Sequence, residues 1–490
     1  MIEILKSPYK NIFCVSFIVY LVTAYYSIGF YHPDEHFQIL EFCNYKLGLS
    51  PLADLPWEFN EHIRPALQPT IAAIMIKAFN LFNIHNQFTY ALIFRLLCAL
   101  LSWFVFCKLS LLVIREYLTD IGKRIFVFMS LLLGFVPYIS VRFSSENLAA
   151  ITFLGALYFI IKSGDDNKNT RAFNFIIPGI LLGLSFFFRF QMAFAIVGLG
   201  LWLIIIKKTQ RNYIITLLIS GILIMTLCVY IDYWFYGHFE LTPLNYFKAN
   251  VIENKAAYWG VSPWWYYFNE FIHLSFPVFT ILLLIFFFIG IFQKRMNIFV
   301  WCLVPFLLAH CSAGHKEIRF LFPIVFIFIY LITTGIDFII KSFKLMKFAK
   351  YLYIFIIILN IHPLFAKMFT PSNNDLYFYR FLYEKSPKAP IALISHDKGA
   401  FGFCGLKINF YNNPNIIIIS NSDENEFWGY LNTNKSDTVY VFENNYSNVK
   451  SYPGYKNECV CSIYPKCVQW SILNKWEADG NNLQMLTKIK

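Results

Sequence analysis

Eleven apolar runs separated by more polar segments constrain this chain more than any other feature. The first covers residues 11–30. The others lie at 88–114, 125–141, 147–161, 173–188, 190–206, 213–234, 276–292, 298–310, 318–340 and 351–368. A helix needs about 20 apolar residues to cross the hydrocarbon layer, and several of these runs fall somewhat short, so hydropathy sets their ends loosely. Only 14% of the 490 residues are charged, against about 25% in an average globular chain, and the mean hydropathy is +0.52. These values define a polytopic α-helical membrane protein. No small-residue cleavage site follows residues 11–30, so that run is expected to be retained as the first span.

A further apolar stretch, 65–82, decides the topology. If it does not cross and the N-terminus is cytoplasmic, the loops "REYLTDIGKR", "KSGDDNKNTR", "KKTQRN", "QKRMN" and "KSFKLMKFAK" all fall inside. They carry most of the loop cations, as the positive-inside rule requires. The expected layout is about eleven transmembrane helices, with 65–82 interfacial or re-entrant in the first outer loop (31–87). The net charge of +12 then reports topology, and no nucleic-acid partner is implied. A membrane domain over 1–370 precedes a polar region, 371–490, with short β-like runs "IALISH", "NIIIIS" and "TVYVFEN". That region reads as a small outward-facing α/β domain. Its Cys404, Cys459, Cys461 and Cys467 lie where disulfides are permitted, but spacing does not fix their pairing.

This layout sends every polar cluster of interest outward, where one cavity could collect them. In "GFYHPDEHFQILEF", Pro33 suits the first position of a helix, and Asp34 and Glu35 complement its dipole. That alone describes an ordinary helix start. Helical spacing, however, puts Asp34, Gln38 and Glu41 on one face, so the helix offers carboxylates to a membrane-edge cleft. Neighbouring residues on a helix diverge, so His32, Asp34, Glu35 and His36 are not read as a metal site. In "AGHKEIRF", His315, Lys316 and Arg319 gather positive charge, with Lys316 and Arg319 spaced to share a helix face. Snorkelling explains a lone cation there; three such groups on the outer side favour an anion, and a lipid-linked phosphate is the natural one at that depth. Arg142 and Arg189, where spans meet the outer loops, are further phosphate candidates. Arg95 lies inside a span, where an unpaired charge costs at least ~2.5 kcal/mol and needs a partner, Glu146 or one of the acids of the first outer loop. The aromatic loop "YIDYWFYGHFELTPLNYFKANVIENKAAYWGVSPWWYY" interleaves Asn245, Lys248 and Asn250, a composition that suits stacking and hydrogen bonding to a sugar. His32, Gln38, Arg64, Asn245 and Lys248 are the candidates for acceptor or sugar contacts.

"HPDEHFQILE", the Thr-Pro-Leu-Asn block with "YWGVSPWWYY" behind it, and "GHKEIRFLFPI" together resemble the signature blocks of glycosyltransferase family 22. The likeness leans toward its GPI mannosyltransferase branch or a bacterial relative. The resemblance implies a GT-C fold and an inverting transfer of a sugar, usually mannose, from a polyprenyl- or dolichyl-phosphate donor. The implied acceptor is a glycolipid or lipid-linked glycan; neither nucleotide sugar, obligatory metal nor other cofactor is implied. The catalytic carboxylate maps to Asp34, with Glu35 beside it. His36 departs from the pattern, standing where the eukaryotic members tend to carry an aromatic residue. The residues suit that reaction: Asp34 as base, and His315, Lys316 and Arg319, joined by Arg189, as compensators of the leaving phosphate. The rival readings are a lipid-linked-sugar transporter or flippase and a non-catalytic assembly subunit. A transporter predicts midplane charges and symmetry between halves. The charges here gather at one face and no repeat is visible. The expected location is a bacterial inner membrane, with the endoplasmic reticulum as the alternative.

Overall fold

The computed structural model describes residues 2–165, 171–273, 277–385, 391–395, 402–403, 406–420, 429, 438–443, 455–461 and 482–488. Each apolar run of the sequence contains or begins a helix. Five helices are long and apolar enough to cross a membrane: Gln87–Glu116, Ser145–Ser163, Arg211–Tyr236, Ile318–Ser342 and Met346–Phe369. Six shorter apolar helices accompany them, Lys10–Tyr26, Leu67–Leu81, Ala172–Phe188, Met192–Ile206, Val278–Gln293 and Ile298–Ser312. Burial sorts the long ones. The most apolar window of Ile318–Ser342 is 78% buried within the protein, whereas that of Arg211–Tyr236 is only 11% buried. The second leaves Leu218, Ile219, Ile222 and Leu223 exposed, an apolar surface of the kind that suits lipid.

The chain forms two compact units. One comprises Met1–Thr23, Glu58–Ile71 and Arg95–Lys367; the other comprises Ala24–Trp57, Ala72–Phe94 and Met368–Lys490. In the first, helices Pro277–Gln293 and Val325–Ser342 approach through glycines on both sides. A methyl on Gly290 or Gly335 would lie 2.0 Å from the carbonyl oxygen of Leu331 or Phe286. Small residues at such contacts let backbones close where burial from water supplies no drive.

The run 125–141 departs from a continuous span. It forms helix Asp120–Leu132 and a short helix Val136–Ser140, separated at Gly134. The break is satisfied by one side chain: Asn360 accepts from Gly134 N at 2.7 Å and donates to Leu132 O at 2.7 Å. A lipid-buried chain tolerates non-helical backbone only where neighbours supply such partners.

In the second unit, the three β-like runs form strands β1 (Ile391–Ser395), β4 (Ile416–Ser420) and β5 (Thr438–Glu443). With β6 (Tyr455–Cys461) and β7 (Asn482–Lys488) they make one sheet in the order β4-β1-β5-β7-β6, parallel on one side and antiparallel on the other. β2 (Gly402–Phe403) and β3 (Leu406–Lys407) form a separate hairpin. Cys404 and Cys467 and the side chains of Cys459 and Cys461 lie outside the described residues.

Candidate functional site

In the first unit, the block containing His315 docks on the loop containing Gly260. Gly260 has φ +106°, a conformation glycine alone adopts readily. Its carbonyl meets His315 Nδ1 at 3.1 Å. Ser262 N donates to Gly314 O at 2.9 Å, and Lys316 Nζ donates to Ser262 O at 2.8 Å. Lys316 also donates to Ala313 O. Two sequence blocks some fifty residues apart thus form one structural piece.

The cations there are buried and bridged. Arg189 ends helix Ile176–Phe188 in an extended conformation, which turns its side chain inward. Its Nη1 donates to Glu146 Oε1 at 2.7 Å, and Arg319 Nη1 reaches the same oxygen at 3.2 Å. Arg319 also grips Glu317 in a fork, Nε to Oε2 at 2.5 Å and Nη2 to Oε1 at 3.1 Å. His315 Nε2 is 2.9 Å from Glu317 Oε1. That hydrogen bond holds the His315 imidazolium to higher pH than usual, against the opposing effect of burial. Phe320 lies beneath both guanidiniums, 4.8 Å from Arg189 and 5.3 Å from Arg319, a cation–π arrangement.

Two carboxylates therefore serve two arginines, with the His315 imidazolium sharing Glu317, and Lys316 is left over. It is 6% exposed, and it donates hydrogen bonds to two carbonyls; among the described residues no carboxylate pairs with it. Arg189 Nε is likewise buried, with no hydrogen-bond partner among the described residues. Buried positive charge lacking a counter-ion is costly, and an anion arriving from outside offsets that cost. Arg142 is 2% exposed, with its guanidinium 5.3 Å over the Tyr138 ring.

The expected shared helix face of Lys316 and Arg319 is absent. Glu317 between them is extended, with φ −138° and ψ 145°, and the 3-10 turn Ile318–Ile324 begins after it. Glu317 and Glu146 were not anticipated as the acids that organise this site. Glu317 was visible between two selected cations; Glu146 was read as a partner for a different cation, Arg95.

Arg64 and Asn245 fall in a second group of the same unit. Arg64 sits 3.8 Å from Glu58 and 5.8 Å from the Tyr246 ring centroid. Tyr236 donates to its carbonyl at 2.6 Å. Asn245 Nδ2 donates to Glu240 Oε2 at 2.6 Å and to His62 O at 3.3 Å. Gln191 donates to Tyr246 Oη at 2.5 Å. Asp232 ties this group together, accepting from Ala66 N and Thr242 Oγ1, each at 2.7 Å. Lys248 is not drawn in: its side chain is 69% exposed and lies 3.7 Å from Glu253.

In the second unit, Pro33–Glu35 forms the expected helix start. His32 caps it, its Nδ1 accepting from Asp34 N at 3.3 Å. Glu35 Oε2 accepts from Tyr31 N at 3.2 Å, bracing the turn. Asp34 is about a quarter exposed, with its carboxylate 3.4 Å from His32 Nδ1; Gln38 is half-buried. The polar stripe through Glu41 is not formed. Residues His36–Glu41 wind as a π-helix, and Glu41 turns fully inside. Its Oε1 meets His36 Nε2 at 2.7 Å and accepts from Phe410 N at 2.8 Å. The i→i+5 spacing of a π turn brings those two side chains together. His36 stacks on Tyr411 with ring centroids 5.7 Å apart, so it occupies an aromatic position as an aromatic.

The scaffold is the GT-C fold. The crystal structure of ArnT from Cupriavidus metallidurans, bound to undecaprenyl phosphate, aligns with a TM-score of 0.51 over 98% of each chain at 9% identity. The chain belongs to the Alg9-like mannosyltransferase family, whose profile matches residues 11–384. Relatives include the GPI alpha-1,2-mannosyltransferase 3 of Bos taurus, 26% identical over 64% of this chain and 57% of that protein. The GPI mannosyltransferase 3 of Yarrowia lipolytica is 25% identical over 66% and 62%, and the Homo sapiens GPI alpha-1,2-mannosyltransferase 3 is 26% identical over 60% and 51%. The match thus spans between half and two thirds of these relatives' length.

Proposed function

We propose that this protein is an inverting glycosyltransferase that moves mannose from a polyprenyl- or dolichyl-phosphate donor to a hydroxyl of a glycolipid or lipid-linked glycan. The observation that carries the donor class is Lys316, a buried ammonium bonded only to backbone carbonyls among the described residues. A phosphate supplies its missing counter-charge and hydrogen-bonds the Arg189 Nε as well. Family membership and the names of the relatives support mannose.

In this reading the acceptor hydroxyl attacks the sugar carbon from the side opposite the phosphate. The carbon–oxygen bond to the phosphate breaks, and the phosphate leaves with the electron pair. Asp34 takes the hydroxyl proton, late in an oxocarbenium-like transition state, so a weak base suffices. Lys316, Arg189, Arg319 and the imidazolium of His315 compensate the charge that grows on the phosphate, and no acid is needed. Arg142 joins them as a phosphate contact. His32, Gln38, Arg64 and Asn245 contact sugar or acceptor, and Lys248 acts from the solvent rim. Glu35 holds the turn that carries Asp34. The reaction faces away from the cytoplasm, at a bacterial inner membrane or, alternatively, that of the endoplasmic reticulum.

The donor part is tested by titrating polyprenyl phosphate into purified protein and its Lys316→Met variant. The expected result is saturable binding weakened at least tenfold by the substitution. Equal binding by both proteins overturns the assignment.

A further inference from the structure

Outside the cation site, His62, His238 and Glu240 bring three metal-ligating atoms within 4.8 Å of one another. Glu240 Oε1 lies 3.4 Å from His62 Nδ1 and 3.1 Å from His238 Nδ1. The first exceeds the roughly 2.7–3.2 Å of an N–H···O bond and the second lies at its long end; both are also close to the spacing of two ligands that share one ion. Zinc binds imidazole nitrogen and carboxylate oxygen at about 2.0–2.2 Å, so ligands at two corners of its tetrahedron are roughly 3.3–3.5 Å apart.

We infer that His62, His238 and Glu240 form a binding site for a divalent transition-metal ion, zinc by ligand type, that staples the segment preceding Arg64 to the segment after helix Arg211–Tyr236. The surroundings are built for it. The second oxygen of Glu240 is held by Asn245 Nδ2, which also donates to the carbonyl of His62; ligands braced from behind in this way are typical of metal sites. His62 is held at φ +48°, an uncommon backbone state for a residue with a Cβ, and metal binding offsets its cost. The His238 side chain is half exposed while the other two are about a quarter exposed, so an ion can enter and water can complete its coordination. The two imidazoles and the carboxylate fit a borderline ion better than calcium or magnesium, which prefer oxygen alone. The site is independent of the proposed transfer: it positions Arg64 and Asn245, whatever those residues contact.

The test uses the full chain purified in detergent and stripped with a chelator. Zinc is titrated with thermal unfolding as the readout, and cobalt with visible absorption. The expected result is one equivalent of zinc that raises Tm, together with cobalt bands of a four-coordinate site. Both should be lost in His238→Ala, with the unfolding of the metal-free variant recorded to show that it folds. His238→Cys should restore binding and add a sulfur-to-cobalt charge-transfer band. Absence of saturable uptake, or uptake undiminished in His238→Ala, overturns the assignment.

Discussion

The guanidinium of Arg189 and the carboxylate of Glu146 meet at 2.7 Å, although 43 residues separate them. Arg319 reaches the same oxygen at 3.2 Å, so Glu146 holds together two of the cations assigned to phosphate. All three side chains are nearly dry. Removing that acid takes from Arg189 its carboxylate partner and leaves Arg319 with Glu317, which His315 shares.

Glu146→Gln should therefore destabilise the protein by about 3–5 kcal/mol, the cost of breaking a buried pair. Thermal unfolding in detergent measures it. Added polyprenyl phosphate should recover part of the loss by supplying negative charge. An unchanged melting profile means that the bridge carries no stability.

His315 makes the site pH-sensitive. Its hydrogen bond to Glu317 raises its pKa above the ordinary 6.5. A group whose folded value is raised contributes fully below its unfolded value, and that contribution is lost as pH rises through the folded value. Binding of polyprenyl phosphate should thus persist at pH values where a free imidazole is already neutral, then fall as pH climbs further. His315→Gln should flatten this fall. A decline centred at or below 6.5 in the unmodified protein contradicts the pairing.

The membrane helices should be intolerant of bulk at their close contacts. Gly335→Leu places side-chain atoms where the Phe286 carbonyl sits, since even a Cβ would come within 2.0 Å. Overpacking of this kind typically costs about 1–3 kcal/mol, visible as a lowered unfolding midpoint. Unchanged stability would show that the two helices separate more easily than their packing implies.

The helices were legible in the sequence because a hydrocarbon solvent leaves a plain record: each apolar run holds a helix. Where the record failed, a side chain distant in sequence was responsible. The break at Gly134 depends on Asn360, 226 residues away, and hydropathy contains no trace of it. The cations were legible because positive charge in an outer loop is unusual; their partners were less so, because Glu146 lies 173 residues from Arg319 and looks like any acid at a helix start. Glu41 was misplaced because a π turn shifts every later side chain around the axis, and spacing counted at 3.6 residues per turn ignores that shift. His62, His238 and Glu240 gave no metal signal, since His62 lies 176 positions before His238 and 178 before Glu240, and a lone His-x-Glu pair is no metal motif.

The central claim is that Asp34 is the base of a lipid-phosphate-dependent sugar transfer. The most direct measurement supplies polyprenyl-phosphate mannose and a glycolipid acceptor to purified protein and to Asp34→Asn, with thermal unfolding of both recorded. Transfer should fall by about 10²–10⁴-fold in a variant that unfolds like the original and still binds polyprenyl phosphate. Undiminished transfer by Asp34→Asn, or none by the unmodified protein with either polyprenyl or dolichyl donor, contradicts it.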